Sequence, residues 1–107
     1  MLLLANADLA VAASAGDVSG RTAGQRLARG DLPAWRVVDS GEALLDNRRR
    51  SGVRSALLVP LRWRDHVFGV LELVARQPQA FDVPALNLVR KVAGQLAGWI
   101  YVLARRS

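Results

Sequence analysis

Cysteine does not occur among the 107 residues. Its absence excludes disulfides, Cys-ligated zinc, iron–sulfur clusters, thiol catalysis and any cofactor attached through a thioether. Histidine is limited to His66, which the pattern places in a turn. With one imidazole and no thiol, no nucleophile–base pair can be assembled, and the serines at 14, 19, 40, 51, 55 and 107 show no elbow motif. No catalytic residues, metal ligands or enzyme activity are therefore expected. Gly16, Gly20 and Gly24 are followed by no Lys-Ser or Lys-Thr, so a phosphate-binding loop is not expected either.

Lysine is nearly missing too. Of the 15 basic residues only Lys91 is lysine, the rest being arginine, and 9 acidic residues leave a formal charge of +6. Such a charge raises nucleic acid or an anionic membrane as a partner. The one dense cluster, Arg48-Arg49-Arg50, has no interleaved aromatics to stack on bases, so a solvated surface is the expectation and nucleic acid is not. Long apolar runs are also lacking. Asn6 and Asp8 interrupt the N-terminal one, and Arg, Glu or Gln break the others, so no signal peptide, span or membrane partner is expected. A cytoplasmic domain follows as the expectation.

What remains is a chain that can build a core. Hydrophobic residues make up 51% and charged ones 22%, and the length suits one domain over residues 1–107. Met1 to Ala5 and Leu9 to Ser14 read as an opening hairpin, and Gln25 to Arg29 as a short strand. Asp31 is the expected N-cap of a helix starting at Leu32-Pro33, running to Ser40 and ending at Gly41. Ala43 to Asp46 reads as a brief strand, and 48 to 52 as a loop.

Val53 to Arg64 and Val67 to Arg76 read as a hairpin with Asp65-His66 as its turn. In that register Arg62, Pro60, Leu58, Ala56, Gly69, Leu71, Leu73 and Ala75 share one face. Trp63, Leu61, Val59, Leu57, Phe68, Val70, Glu72 and Val74 share the other. Both faces are apolar, so cover on both sides is expected. A long helix follows, capped by Asp82 and reaching about Arg106. Leu86, Val89, Ala93, Leu96, Ile100 and Leu103 form one stripe, and the face with Gly69, Ala56 and Ala75 has room for it. Leu88, Val92, Trp99 and Val102 form a second stripe, which calls for another helix or a second subunit.

The segments RVVDSGEALL (36–45), GVRSALLVPLRWRDHVFGVLELVAR (52–76) and FDVPALNLVRKVAGQLAGWI (81–100) together resemble the GAF domain, a small-molecule sensory module of bacterial signalling proteins, phosphodiesterases and phytochromes. The resemblance implies an α+β fold: an antiparallel sheet of five or six strands, the long C-terminal helix on one face, and a short helix with loops on the other. Members normally begin with a helix that pairs with the last one. Its absence suggests a domain excised from a larger signalling protein or truncated, with self-association through Leu88, Val92, Trp99 and Val102.

The same resemblance implies a ligand pocket on the face opposite the terminal helix, for which Trp35, Val38, Asp39, Asp46, Val59 and Glu72 are the candidates. A carboxylate at Glu72 needs a donor, from either a loop arginine or a ligand, and Trp35 reads equally as a core aromatic. Covalent bilin attachment and the methionine sulfoxide reductases of this fold both need cysteine. The cyclic-nucleotide signature of phosphodiesterase relatives is missing, although a cyclic nucleotide or other small organic ligand remains possible. Arg36-Val37-Val38-Asp39 has the Arg-x-x-Asp spacing of some cyclic di-GMP sites and reads better as polar positions on an amphipathic helix. The expectation is a regulatory domain that binds a small molecule non-covalently and signals through a homodimeric terminal helix to an output domain. The alternative is a dimerisation scaffold with a filled pocket.

Overall fold

The computed structural model describes residues 1–5, 8–11, 24–30, 32–47 and 53–105. The elements run β1 (Leu2–Ala5), β2 (Asp8–Val11), β3 (Arg26–Leu27), α1 (Pro33–Ser40), β4 (Leu44–Asp46), β5 (Ser55–Trp63), β6 (His66–Ala75) and α2 (Val83–Arg105). Six strands form one sheet in the order β3-β2-β1-β6-β5-β4, and every pairing is antiparallel. The helices lie on opposite faces, giving the α+β layering expected from the pattern. The expected cap at Asp31, the loop at 48–52 and the glycines at 16 and 20 lie outside the described residues.

Local chemistry explains the element ends. Gly41 takes φ 71° and its N–H donates to the Val37 carbonyl at 2.9 Å, closing α1 with a left-handed residue that costs glycine nothing. Asp82 caps α2, its Oδ1 accepting the Ala85 N–H at 2.9 Å. Pro60 is tolerated inside a long strand because β4 pairs only with Ala56–Leu58, leaving β5 without a second neighbour where the proline N–H is missing.

The β5–β6 hairpin departs from the expected register. Its turn is Arg64-Asp65, with Trp63 opposite His66, and Arg64 adopts φ 57°. Arg62 then faces Val67 while Leu61 faces Gly69, so Phe68 is an extra residue in β6 and the ladder shifts at this bulge. Because side chains alternate, a shift of one residue exchanges the faces of one strand against the other. Ala56, Leu58 and Pro60 therefore share a face with Val70, Glu72 and Val74. Leu57, Val59 and Leu61 share the opposite one with Leu71 and Leu73.

Each face carries its own core. Under α1, Trp35, Ala34 and Val37 pack with Leu2, Leu58 and Val70. Under α2, Ala93 and Ala97 pack with Leu57, Val59, Leu61 and Phe68, joined by Leu86, Val89 and Ile100. Phe68 thus belongs to the α2 side rather than to the pocket face. The room expected at Gly69 is taken by a strand instead of the helix: a Cβ there would strike the Leu2 carbonyl and the Leu3 side chain, so glycine is what lets β1 dock on β6. The close approach of α2 comes from its own small residues, Ala93 and Ala97, against β5.

Leu88, Val92, Trp99 and Val102 are exposed, Trp99 by 74%, and Leu103 joins them rather than the buried stripe. Among the described residues no helix is long and apolar enough to cross a membrane.

Candidate functional site

α1 is amphipathic, and its two flanks are treated differently. One flank is strapped down. The Trp35 indole N–H donates to the Ala28 carbonyl at 2.9 Å, and the Arg29 guanidinium lies over the Trp35 ring, 4.7 Å from its centre. Arg29 also pairs with Asp39, one helical turn beyond Trp35.

The other flank is open. The reversal at Gly41 brings β4 back along α1 and leaves a cavity of about 230 Å³, lined among the described residues by Arg36, Val37, Ser40, Glu42, Ala43 and Leu44. The Ser40 hydroxyl accepts the Glu42 N–H at 3.1 Å, and Arg62 from β5 donates to the Gly41 carbonyl at 2.8 Å, so both sides of the reversal are held. Val37, Ala43 and Leu44 provide apolar wall, while Arg36, Ser40 and Glu42 provide a cation, a hydroxyl and a carboxylate. Apolar residues with a few polar ones among them are the usual residue make-up of a small-molecule site.

None of the six residues singled out in the sequence is among the described residues that line this notch. Trp35, 3% exposed, fills the space between α1 and the sheet, and Val38 packs beside it. Asp39 is exposed and engaged by Arg29. Asp46 is buried on β4, on the α1 face with Leu44. Glu72 is half-buried on that same face, directly opposite Leu58. Val59 is corrected: it lies on the α2 face, 2% exposed among Ala93 and Ala97, because the bulge at Phe68 shifts β5 by one residue against β6. Asp46 and Glu72 share a face but flank β5 and stand two residues out of line along it, which puts their backbones roughly 12 Å apart. His66 is exposed at the hairpin end. Among the described residues no cluster of His, Cys, Asp and Glu is arranged to hold a metal.

Arg36 stands out in the sequence only through its Arg-x-x-Asp spacing to Asp39, and Ser40 and Glu42 only as part of the 36–45 segment that resembles the family, neither of which marks them as lining a site. Their spacing of four and their position astride a helix-ending glycine is the only local signal. The cavity exists because the chain folds back there.

Comparison with known proteins places this architecture. A GAF domain family model matches residues 1–100. No match was found among curated protein sequences. Among solved structures, the GAF-B domain of DevS from Mycobacterium smegmatis is similar with a TM-score of 0.75 at 22% identity, covering 94% of this chain and 76% of that one. The type II free methionine-R-sulfoxide reductase from Thermoplasma acidophilum is similar with a TM-score of 0.74 at 15% identity, covering 94% and 75%. The reduced form of fRMsr of Staphylococcus aureus has a TM-score of 0.68 at 18% identity, covering 86% and 63%.

The presence of reductases among these structures overturns the expectation that the chain is not an enzyme. The fold admits catalysis, and what the lack of cysteine excludes is a thiol route, not catalysis as such. A six-stranded antiparallel sheet between a short roofing helix and a long C-terminal helix, matched by the family model from residue 1 to 100, establishes that this chain belongs to the GAF domain family.

Proposed function

We propose that this GAF domain is a regulatory sensory module that binds a small molecule non-covalently in the notch beside α1 and passes its occupancy to α2. The observation that carries the reading is the pair of consecutive residues at the end of β5. Arg62 holds the Gly41 carbonyl at the lip of the notch, at 2.8 Å, while Trp63 lies against Gly98 of α2. Neighbouring strand residues point to opposite faces, so a shift of this strand end is felt by both helices at once.

Gly98 immediately precedes Trp99 in the exposed stripe. In this reading Leu88, Val92, Trp99 and Val102 pair with a second copy, each large side chain contributing about 1.5–3 kcal/mol if fully buried, and the dimer conveys the signal to an output domain. Ligand binding shifts the helix arrangement only if the ligand prefers one arrangement over another.

A second reading has its own support. Trp35 fills the space over Leu58 and Val70, as expected of a scaffold whose pocket is closed and whose task is dimerisation. Native mass spectrometry of the purified chain separates the two. The sensory reading expects a dimer carrying a reproducible extra mass, and expects Trp99→Glu to give a folded monomer that retains the adduct. A dimer without adduct, unchanged by cyclic nucleotides or a metabolite library, establishes the scaffold. A monomer at high micromolar concentration rejects the relay.

A further inference from the structure

We infer that the notch between α1 and β4 recognises a small zwitterion, an α-amino acid with a short apolar side chain. The inference rests on the reading of that notch as the sensory site and names the class of ligand it takes. Arg36 and Glu42 both line the cavity, yet they do not pair with each other, and among the described residues neither has an ion-pair partner. One cationic and one anionic residue thus stand at the same small notch without pairing. A molecule carrying a carboxylate and an ammonium on one carbon suits that notch.

The remaining lining agrees. Arg36 suits a carboxylate through its planar pair of N–H groups. The Ser40 Oγ accepts the Glu42 N–H, which leaves its own O–H to donate to the same carboxylate. Glu42 would accept the ammonium. Val37, Ala43 and Leu44 provide the apolar surface for a short aliphatic side chain. Size points the same way, since about 230 Å³ lies below the roughly 300–1,000 Å³ of pockets that enclose drug-sized ligands. A ligand with only one of the two charges would cover the other protein group without pairing it, and a covered, unpaired charge is penalised.

Amide NMR titration of the whole chain tests this, with L-leucine as the probe beside isocaproate, which is leucine without its ammonium, and isoamylamine, which is leucine without its carboxylate. The expected result is saturable shifts in the amides of 36–44 with leucine, and binding weaker by about tenfold or more for each single-charge analogue. Arg36→Gln and Glu42→Gln, both at exposed positions, are expected to weaken leucine binding by a similar factor while leaving the spectrum of the fold intact. The proposal is overturned if an analogue binds within threefold of leucine, if either variant binds leucine as well as the parent, or if neither leucine nor any other apolar amino acid shifts these amides. In that last case a fragment library separates the two levels. A non-zwitterionic compound that shifts the amides of 36–44 rejects the ligand class and leaves the sensory reading standing, whereas no shift from any compound rejects both.

Discussion

The Trp63 ring lies across Gly98 so closely that a methyl group added to that glycine would stand 2.8 Å from the ring. The contact joins β5 to α2 between Ala97, which is buried, and Trp99, which is exposed. At Gly94, one turn earlier on the same helix, an added Cβ would meet nothing within 4 Å.

The two glycines should therefore respond in opposite directions to the same substitution. Gly94→Ala is expected to stabilise by about 0.5–1 kcal/mol through helix propensity and reduced chain entropy. Gly98→Ala gains the same term but forces the Trp63 ring aside, an overpacking cost of about 1–3 kcal/mol, for a net loss near 1 kcal/mol. Urea denaturation of the two variants measures both. Equal stabilisation would mean that Trp63 moves freely and does not couple the layers.

Trp35 and Asp39 sit one turn apart on α1 and should differ in weight. Trp35→Ala empties the space between α1 and the sheet and is expected to cost about 3–5 kcal/mol, a large part of the total stability of a small domain. Asp39→Asn removes an exposed pair with Arg29, their side chains 55% and 57% exposed, and is expected to change stability by no more than about 0.5 kcal/mol. Thermal unfolding followed by circular dichroism distinguishes these magnitudes. A large loss in Asp39→Asn would show that the strap over α1 rests on the ion pair rather than on the indole.

Ser55 is 1% exposed and ties β5 to the connection that leads into α2, its hydroxyl donating to the Gln77 carbonyl at 2.7 Å and accepting the Ala80 N–H at 3.3 Å. Ser55→Ala leaves both backbone groups without that partner, at an expected cost of about 1–3 kcal/mol. Hydrogen exchange provides the local check, with the Ala80 amide losing protection ahead of the sheet amides. Unchanged exchange at Ala80 would mean that water replaces the hydroxyl without loss.

Elements whose signal is local were legible in the sequence. The cap at Asp82, the spacing of Leu86, Val89 and Ala93, and the parallel spacing of Leu88, Val92 and Trp99 specify α2 and its two apolar faces without any distant partner. Gly41 ends α1 for a reason contained in one residue. Glu72 and Asp46 fall on the α1 face of the sheet, whereas Val59 falls on the α2 face. That difference depends on a single extra residue at Phe68. Strand-like runs permit several registers, and the turn at Arg64-Asp65 together with β1 docked at Gly69 fits only one of them.

The amino-acid sequence by itself determined the composition limits, the order of helices and strands, the amphipathic faces and the GAF pattern, because each is written in neighbouring residues at periods near 2 and 3.6. Tertiary structure alone decided the sheet register, the burial of Trp35, and the meeting of Arg36, Ser40 and Glu42 around one cavity whose lip is held by Arg62. The register and the burial of Trp35 depend on residues far apart in the chain competing for the same space, whereas the notch is lined from within residues 36–44 and depends on the fold-back at Gly41 and on Arg62 reaching it from β5.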